Sequence, residues 1–104
     1  SDLKLFNTTR GVRLIENFQE AIRNGINGVY RDAKLYGSDW NFDLRNIKKK
    51  FFIWHGASDY TVPPITSNYY KKRLKNKEIF LKANEGHFSI CYKYMNKVIR
   101  QVSE

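Results

Sequence analysis

An uninterrupted apolar run, Phe51-Phe52-Ile53-Trp54, is the feature that most constrains the fold of this 104-residue chain. Four residues cannot cross a bilayer, but they suit a β-strand. Strands that are apolar at every residue, rather than at alternate residues, are typical of parallel sheets that are covered on both faces. We therefore expect a strand near residues 49–54 that is buried between two layers.

The residues after this run predict a helix, a second strand and a second helix. The double proline at 63–64 opens a helix near residues 64–75, because proline fits the first helical turn. A second strand is expected near 78–82. Apolar residues at helical spacing then predict a helix near 88–103. The order strand, helix, strand, helix predicts an α/β fold with a parallel crossover.

The first part of the chain predicts an amphipathic helix over residues 9–24 and an irregular segment over residues 25–47. Asn24-Gly25 marks the helix end, because glycine accepts the left-handed turn that often ends a helix. Glycines also punctuate the segment that follows. We divide the chain into residues 1–27, the amphipathic helix, and residues 28–104, the α/β portion. The apolar stripe of the helix consists of Leu14, Ile15, Phe18, Ala21 and Ile22.

Two side chains with catalytic potential follow the two predicted strands. Asp59 lies in the loop after the first strand, and His87 lies in the loop after the second. The carboxyl ends of neighbouring parallel strands meet at one sheet edge, about 4.8 Å apart, so these side chains can reach each other. An aspartate bonded to one ring nitrogen of a histidine fixes its tautomer. It also stabilises the imidazolium that forms when the other nitrogen takes a proton from a nucleophile.

The same residues belong to a pattern that resembles the C-terminal portion of α/β-hydrolase fold enzymes. Those enzymes order their triad as serine, then aspartate or glutamate, then histidine. Asp59 before His87 agrees with that order. The motifs are Trp40-x-Phe42-Asp43-Leu44-x-x-Ile47, then Phe52-Ile53-Trp54-His55-Gly56-x-x-Asp59-x-x-Val62-Pro63, then Gly86-His87-Phe88.

The resemblance implies a fragment of a parallel hydrolase sheet, esterase- or lipase-like, whose full-length form acts on a small-molecule ester or amide. It implies that Asp59 is the acid and His87 the histidine of a Ser-His-Asp triad, with no cofactor and no metal ion. Residues 1–27 would be the remnant of a cap over the substrate pocket. The family's nucleophile motif, G-x-S-x-G, is absent. We therefore expect the nucleophile in a missing N-terminal portion and an inactive isolated chain.

Two other functions stay open. The fold without its nucleophile would suit a non-catalytic interaction module. The net charge of +9 would suit a nucleic-acid-binding domain. Because the lysines are mostly scattered, we expect no nucleic-acid partner. The apolar edges of a two-stranded piece invite pairing with another chain. We therefore expect either the missing N-terminal portion or a homodimer as partner.

The candidate residues also have plainer interpretations. Asp59 could be a turn residue, since aspartate commonly bonds nearby backbone in loops. His87 could cap the last helix or be exposed. We expect His55 to be structural, Cys91 to be a thiol packed in the core, and Glu85 to be solvated.

Cysteine content and hydropathy limit the location of the chain. Cys91 is the single cysteine, which excludes an internal disulfide and favours a reducing compartment, so we expect a cytoplasmic protein. No apolar stretch is long enough to be a transmembrane segment.

Overall fold

The computed structural model describes residues 2–103, which form two compact units. One unit comprises residues 6–42, and the other comprises residues 2–5 with residues 43–103. The elements are α1 (Asp2–Phe6), α2 (Thr9–Ile22), α3 (Asn27–Tyr36), a 3-10 turn (Leu44–Asn46), β1 (Phe51–Gly56), α4 (Ile65–Arg73), β2 (Lys77–Lys82) and α5 (Ser89–Ser103).

The unit of residues 6–42 is helical and corrects one prediction. The Thr8 side chain caps α2 by accepting the N–H of Gly11 at 3.2 Å, and Gly25 follows the helix with φ of 102°. The irregular segment predicted from residue 25 is wrong for α3. Two of its glycines bound this helix rather than interrupt it, because Gly28 lies in the first turn and Gly37 is the C-cap. The assignment of residues 1–27 to a cap stays a prediction.

The larger unit is mixed α/β and contains a two-stranded parallel sheet, as the sequence predicts. β1 pairs with β2 in a register that runs from Phe51 opposite Lys77 to Gly56 opposite Lys82. α4 connects the strands, and α5 follows β2. The carboxyl ends of both strands therefore lie at the same edge of the sheet.

Successive residues of β1 point to different helices, as the pleat of a strand requires. The indole N–H of Trp54 donates to Gln101 of α5 at 3.0 Å. The next side chain, His55, bonds Ser67 of α4. Among residues 2–103, the hydrophobic residues that are buried are Leu74 and Ile90. The core is therefore small, and polar contacts at the carboxyl edge hold much of the unit in place.

None of the helices within residues 2–103 combines the length and the hydropathy that crossing a membrane requires.

Candidate active site

Backbone hydrogen bonds join the two loops at the carboxyl edge of the sheet. The N–H of Ala57, just after β1, donates to the carbonyl of Lys82 at 2.9 Å. The N–H of Ser58 donates to the carbonyl of Glu85, also at 2.9 Å. Between these points the second loop turns at Asn84, whose φ of 62° is a left-handed conformation that asparagine tolerates. The loop that carries Asp59 is therefore fixed against the loop that carries His87.

The structure brings Asp59 and His87 into direct contact. Oδ2 of Asp59 lies 3.0 Å from Nδ1 of His87. An ionised carboxylate only accepts, so Nδ1 carries the proton and donates. The carboxylate side chain is 5% exposed, whereas the imidazole is 34% exposed. The acid is thus buried behind a histidine whose ring is open to solvent, and the catalytic role of the pair stays a prediction.

The other carboxylate oxygen of Asp59 holds its own loop. Oδ1 accepts the backbone N–H of Thr61 at 2.9 Å and that of Val62 at 2.8 Å. Burial by itself raises the pKa of Asp59. The hydrogen bonds from the Val62 N–H, the His87 ring and the Thr61 N–H outweigh burial and lower the pKa below its ordinary value. Asp59 can therefore be both a turn residue and the partner of His87 in an Asp59–His87 dyad, because each role uses a different carboxylate oxygen.

Asp2 caps the segment that carries His87, a contact that sequence reasoning missed. Its Oδ2 accepts the backbone N–H of His87 at 2.8 Å. Its Oδ1 accepts the N–H groups of Phe88 and Ser89 at 3.0 and 2.8 Å. Backbone N–H groups at a helix start lack acceptors within the helix, and Asp2 accepts three such groups at or just before the first residue of α5. Local sequence patterns could not reveal the contact, because the partners lie 85 to 87 positions apart along the chain.

His55 is buried and structural in its contacts. It is 9% exposed. Its Nδ1 lies 2.5 Å from Oγ of Ser67, and its Nε2 lies 2.8 Å from the carbonyl oxygen of Val62. Both ring nitrogens are therefore in hydrogen bonds. This leaves neither nitrogen open to a reacting group.

Glu85 is buried, so the expectation of a solvated side chain is wrong. It is 4% exposed, and its Oε1 pairs with Nζ of Lys93 at 2.5 Å. Burial alone raises the pKa of Glu85, but hydrogen bonds from Lys93 and Ser89 outweigh burial and lower it. The loop turns inward at this residue, and Lys93, one turn into α5, offsets the charge of the carboxylate. No local signal marks a glutamate before Gly-His as buried.

Cys91 is exposed, so the prediction of a core thiol is also wrong. It follows Ile90, which takes the buried position at the start of α5. Cys91 and His87 both line a cavity of about 310 Å³, which Asp59 and Tyr70 also border. Within residues 2–103, no three His, Cys, Asp or Glu side chains are grouped closely enough to hold a metal ion.

The lowered pKa values of the two buried carboxyls predict a pH dependence of stability. A carboxyl whose folded pKa is depressed adds stability above its unfolded pKa, about 4, and this stability is lost as pH falls through the folded pKa. Both Asp59 and Glu85 are of this kind. We expect the free energy of unfolding, measured by urea titration, to fall steadily from about pH 5 downward.

The substitution Asp59→Asn isolates the contribution of Asp59 to this pH-dependent stability. Asp59→Asn should be less stable than the wild type at neutral pH and should lose less stability on acidification. Asp32→Asn, which changes an exposed carboxyl of α3, is the matched control. Parallel curves for the wild type and Asp59→Asn would contradict the expectation.

Part of the chain is similar to a curated protein. Proline iminopeptidase PfmaB of Pestalotiopsis fici is 33% identical over 61 residues, which are 59% of this chain and 21% of the relative. The matched part of the chain thus spans about a fifth of the relative's length. No family model matches the chain, and no solved structure matches it. The similarity gives modest support to a hydrolase-like origin.

Proposed function

We propose that this chain supplies the acid and the histidine of a hydrolase, while another polypeptide segment supplies the nucleophile. The observation that carries the proposal is the 3.0 Å hydrogen bond from Nδ1 of His87 to the buried Oδ2 of Asp59. Because Nδ1 is the donor in this bond, Nε2 of the neutral ring carries no proton. Nε2 lies on the other side of the ring, which is partly exposed to solvent. This tautomer is the one that a general base requires.

The chemistry would proceed through the histidine. Nε2 of His87 would take the proton of a serine or similar nucleophile as it attacks the carbonyl carbon of the substrate. The imidazolium would then donate the same proton to the leaving group. Asp59 would stay ionised throughout, because three donors already stabilise its carboxylate. It would orient the ring and offset the positive charge that forms beside it.

The resemblance and the relative both support the substrate class that we propose. The resemblance implies an ester or an amide, and the relative is named as a peptidase. An amide bond of a small molecule or peptide is therefore the favoured substrate of the full polypeptide. Neither a cofactor nor a metal ion takes part in this chemistry.

The test is to read the transcript upstream of the codon for Ser1. We expect an open frame that encodes G-x-S-x-G between a strand and a helix. The encoded protein should react with a fluorophosphonate probe at that serine, and His87→Ala should abolish the labelling. Lys97→Ala, an exposed change on α5, is the control. A frame without a nucleophile, or labelling that survives His87→Ala, would overturn the proposal and favour a non-catalytic module.

The isolated chain gives a second prediction. No G-x-S-x-G is present, so the dyad has no nucleophile to activate. We expect hydrolysis of p-nitrophenyl acetate at no more than the rate of free imidazole at equal concentration. Specific turnover by the isolated chain that disappears in His87→Ala would show instead that a residue of this chain is the nucleophile.

A further inference from the structure

A chain of hydrogen bonds extends from the dyad into the interior of the larger unit. It begins at Ser67 in α4, passes through His55 at the end of β1, and reaches Asp59 by way of the backbone of Val62. The three residues are 5%, 9% and 6% exposed, in that order. Such burial makes a complete hydrogen-bond network costly to interrupt.

The direction of each bond follows from what its partners can do. A backbone carbonyl only accepts, so the ring proton of His55 lies on Nε2 and is donated to Val62. Nδ1 of His55 then accepts from the Ser67 hydroxyl. The N–H of Val62 donates to Oδ1 of Asp59. Every donor in the series therefore points towards the Asp59 carboxylate, and the two bonds of the His55 ring polarise each other through the imidazole.

Val62 links His55 of β1 to Asp59. Its carbonyl is bonded to His55 and its N–H is bonded to Asp59, so the two side chains fix one loop residue from both of its peptide groups. Nε2 of His55 lies 3.6 Å from Oδ2 of Asp59, which is beyond hydrogen-bond distance. His55 therefore does not compete with His87 for Oδ2.

We propose that His55 and Ser67 are positioning residues for the acid: they hold the loop after β1 in the conformation in which Oδ2 of Asp59 reaches Nδ1 of His87. The inference rests on the proposed function, because the dyad is what the network positions. It assigns a task to two buried polar side chains that the hydrolytic chemistry itself does not use. Both ring nitrogens of His55 are already in hydrogen bonds, so its role is positioning and not proton transfer.

The test measures the tautomer of His87 in the 104-residue chain, by the ¹⁵N shifts of its ring nitrogens under conditions in which the ring is neutral. In the wild type we expect the Nδ1–H form to dominate for His87 and the Nε2–H form for His55. In His55→Leu, which removes the donor to Val62, the Nδ1–H majority of His87 should be lost. His55→Gln, whose amide can still donate to the Val62 carbonyl, should restore it.

Ser67 provides a second and milder variant. Ser67→Ala should reduce the Nδ1–H fraction of His87, and Ser67→Thr, which keeps the hydroxyl, should not. Leu74→Val is the matched control, because it loosens the core at the end of α4 and touches none of these bonds. A merely structural role for His55 would lower the melting temperature in His55→Leu as Leu74→Val does, without moving the tautomer.

The outcomes separate this inference from the proposed function. A wild-type His87 that is mainly Nε2–H would contradict the dyad itself. A wild-type Nδ1–H form that persists in folded His55→Leu and Ser67→Ala would leave the dyad intact and overturn the positioning role. If His55→Leu does not fold, the wild-type tautomer of His55 still decides, because a proton on Nδ1 is incompatible with donation to Val62.

Discussion

Alanine in place of Gly56 is expected to destabilise the larger unit strongly. A Cβ at this position would lie 2.7 Å from the carbonyl carbon of Glu85 and 2.8 Å from the carbonyl oxygen of Gly86, and still closer to the carbonyl oxygen of Glu85. These are backbone atoms, which cannot rotate away. The same stretch is fixed by the bond from Ser58 to Glu85. The two loops would have to separate.

We expect Gly56→Ala to lower the free energy of unfolding by about 3 kcal/mol or more, at the upper end of what overpacking costs. Because the described core has few buried hydrophobic residues, this loss should leave the larger unit partly unfolded at 25 °C. Urea titration followed by Trp fluorescence measures it. The separation of the loops should also remove the contact between Asp59 and His87.

Two other glycines are graded controls for this prediction. At Gly28 of α3 a Cβ meets nothing within 4 Å, so Gly28→Ala should be neutral or stabilise by up to about 1 kcal/mol. At Gly86 a Cβ meets the carboxylate of Asp2, which can move at the cost of a helix cap, about 0.5–2 kcal/mol. The expected order of destabilisation is therefore Gly56, Gly86, Gly28. A Gly56→Ala chain as stable as Gly28→Ala would contradict the close packing of the loops.

The parts of this structure that could be predicted are those set by local pattern and by sheet geometry. The apolar run of β1 and the spacing of the elements after it predict parallel pairing. Parallel pairing places the loop of Asp59 beside the loop of His87. In a parallel pair the loops after both strands lie at the same edge of the sheet. The proximity of Asp59 and His87, 28 positions apart, could therefore be predicted from the sequence.

Two of the missed features, the roles of Asp2 and Glu85, depend on contacts that no local pattern encodes. The sequence did not predict α3, because glycine has a poor helix propensity. Its two glycines lie in the first turn and at the C-cap, where glycine costs little. Asp2 and Glu85 look like ordinary surface acids in the sequence. Asp2 becomes a helix cap, and Glu85 becomes a buried ion-pair partner, only when the chain is folded. Charged residues are the hardest to place, because their burial depends on a partner elsewhere.

Asparagine in place of Asp59 is expected to reverse the tautomer of His87. Oδ1 of Asp59 accepts two backbone N–H groups, from Thr61 and Val62. In Asp59→Asn only the amide oxygen can take that place, because an NH₂ group cannot accept. The NH₂ group must then occupy the position of Oδ2 and donate to Nδ1 of His87, which moves the ring proton to Nε2.

This reversal removes the general base without disturbing the loop. A proton on Nε2 blocks that nitrogen from accepting one from a nucleophile. In a polypeptide that joins this chain to its nucleophile, kcat should fall by about 10⁴ with KM little changed, the loss typical of a wrong tautomer in such a triad. In the isolated chain, the ring ¹⁵N shifts of His87 should report the exchange of the protonated nitrogen.

A matched control for Asp59→Asn is the same substitution at Asp39. Asp39→Asn changes an exposed carboxyl that accepts a backbone N–H from Asn41 in the same way, and it should alter neither the His87 shifts nor turnover. Asp59→Asn with an unchanged His87 tautomer would mean that the carboxylate does not set the ring proton. The hydrogen bond of 3.0 Å would then be a consequence of the loop geometry and not a determinant of the chemistry. An unchanged tautomer with a kcat reduced 10⁴-fold would instead place the importance of Asp59 in offsetting the charge of the imidazolium.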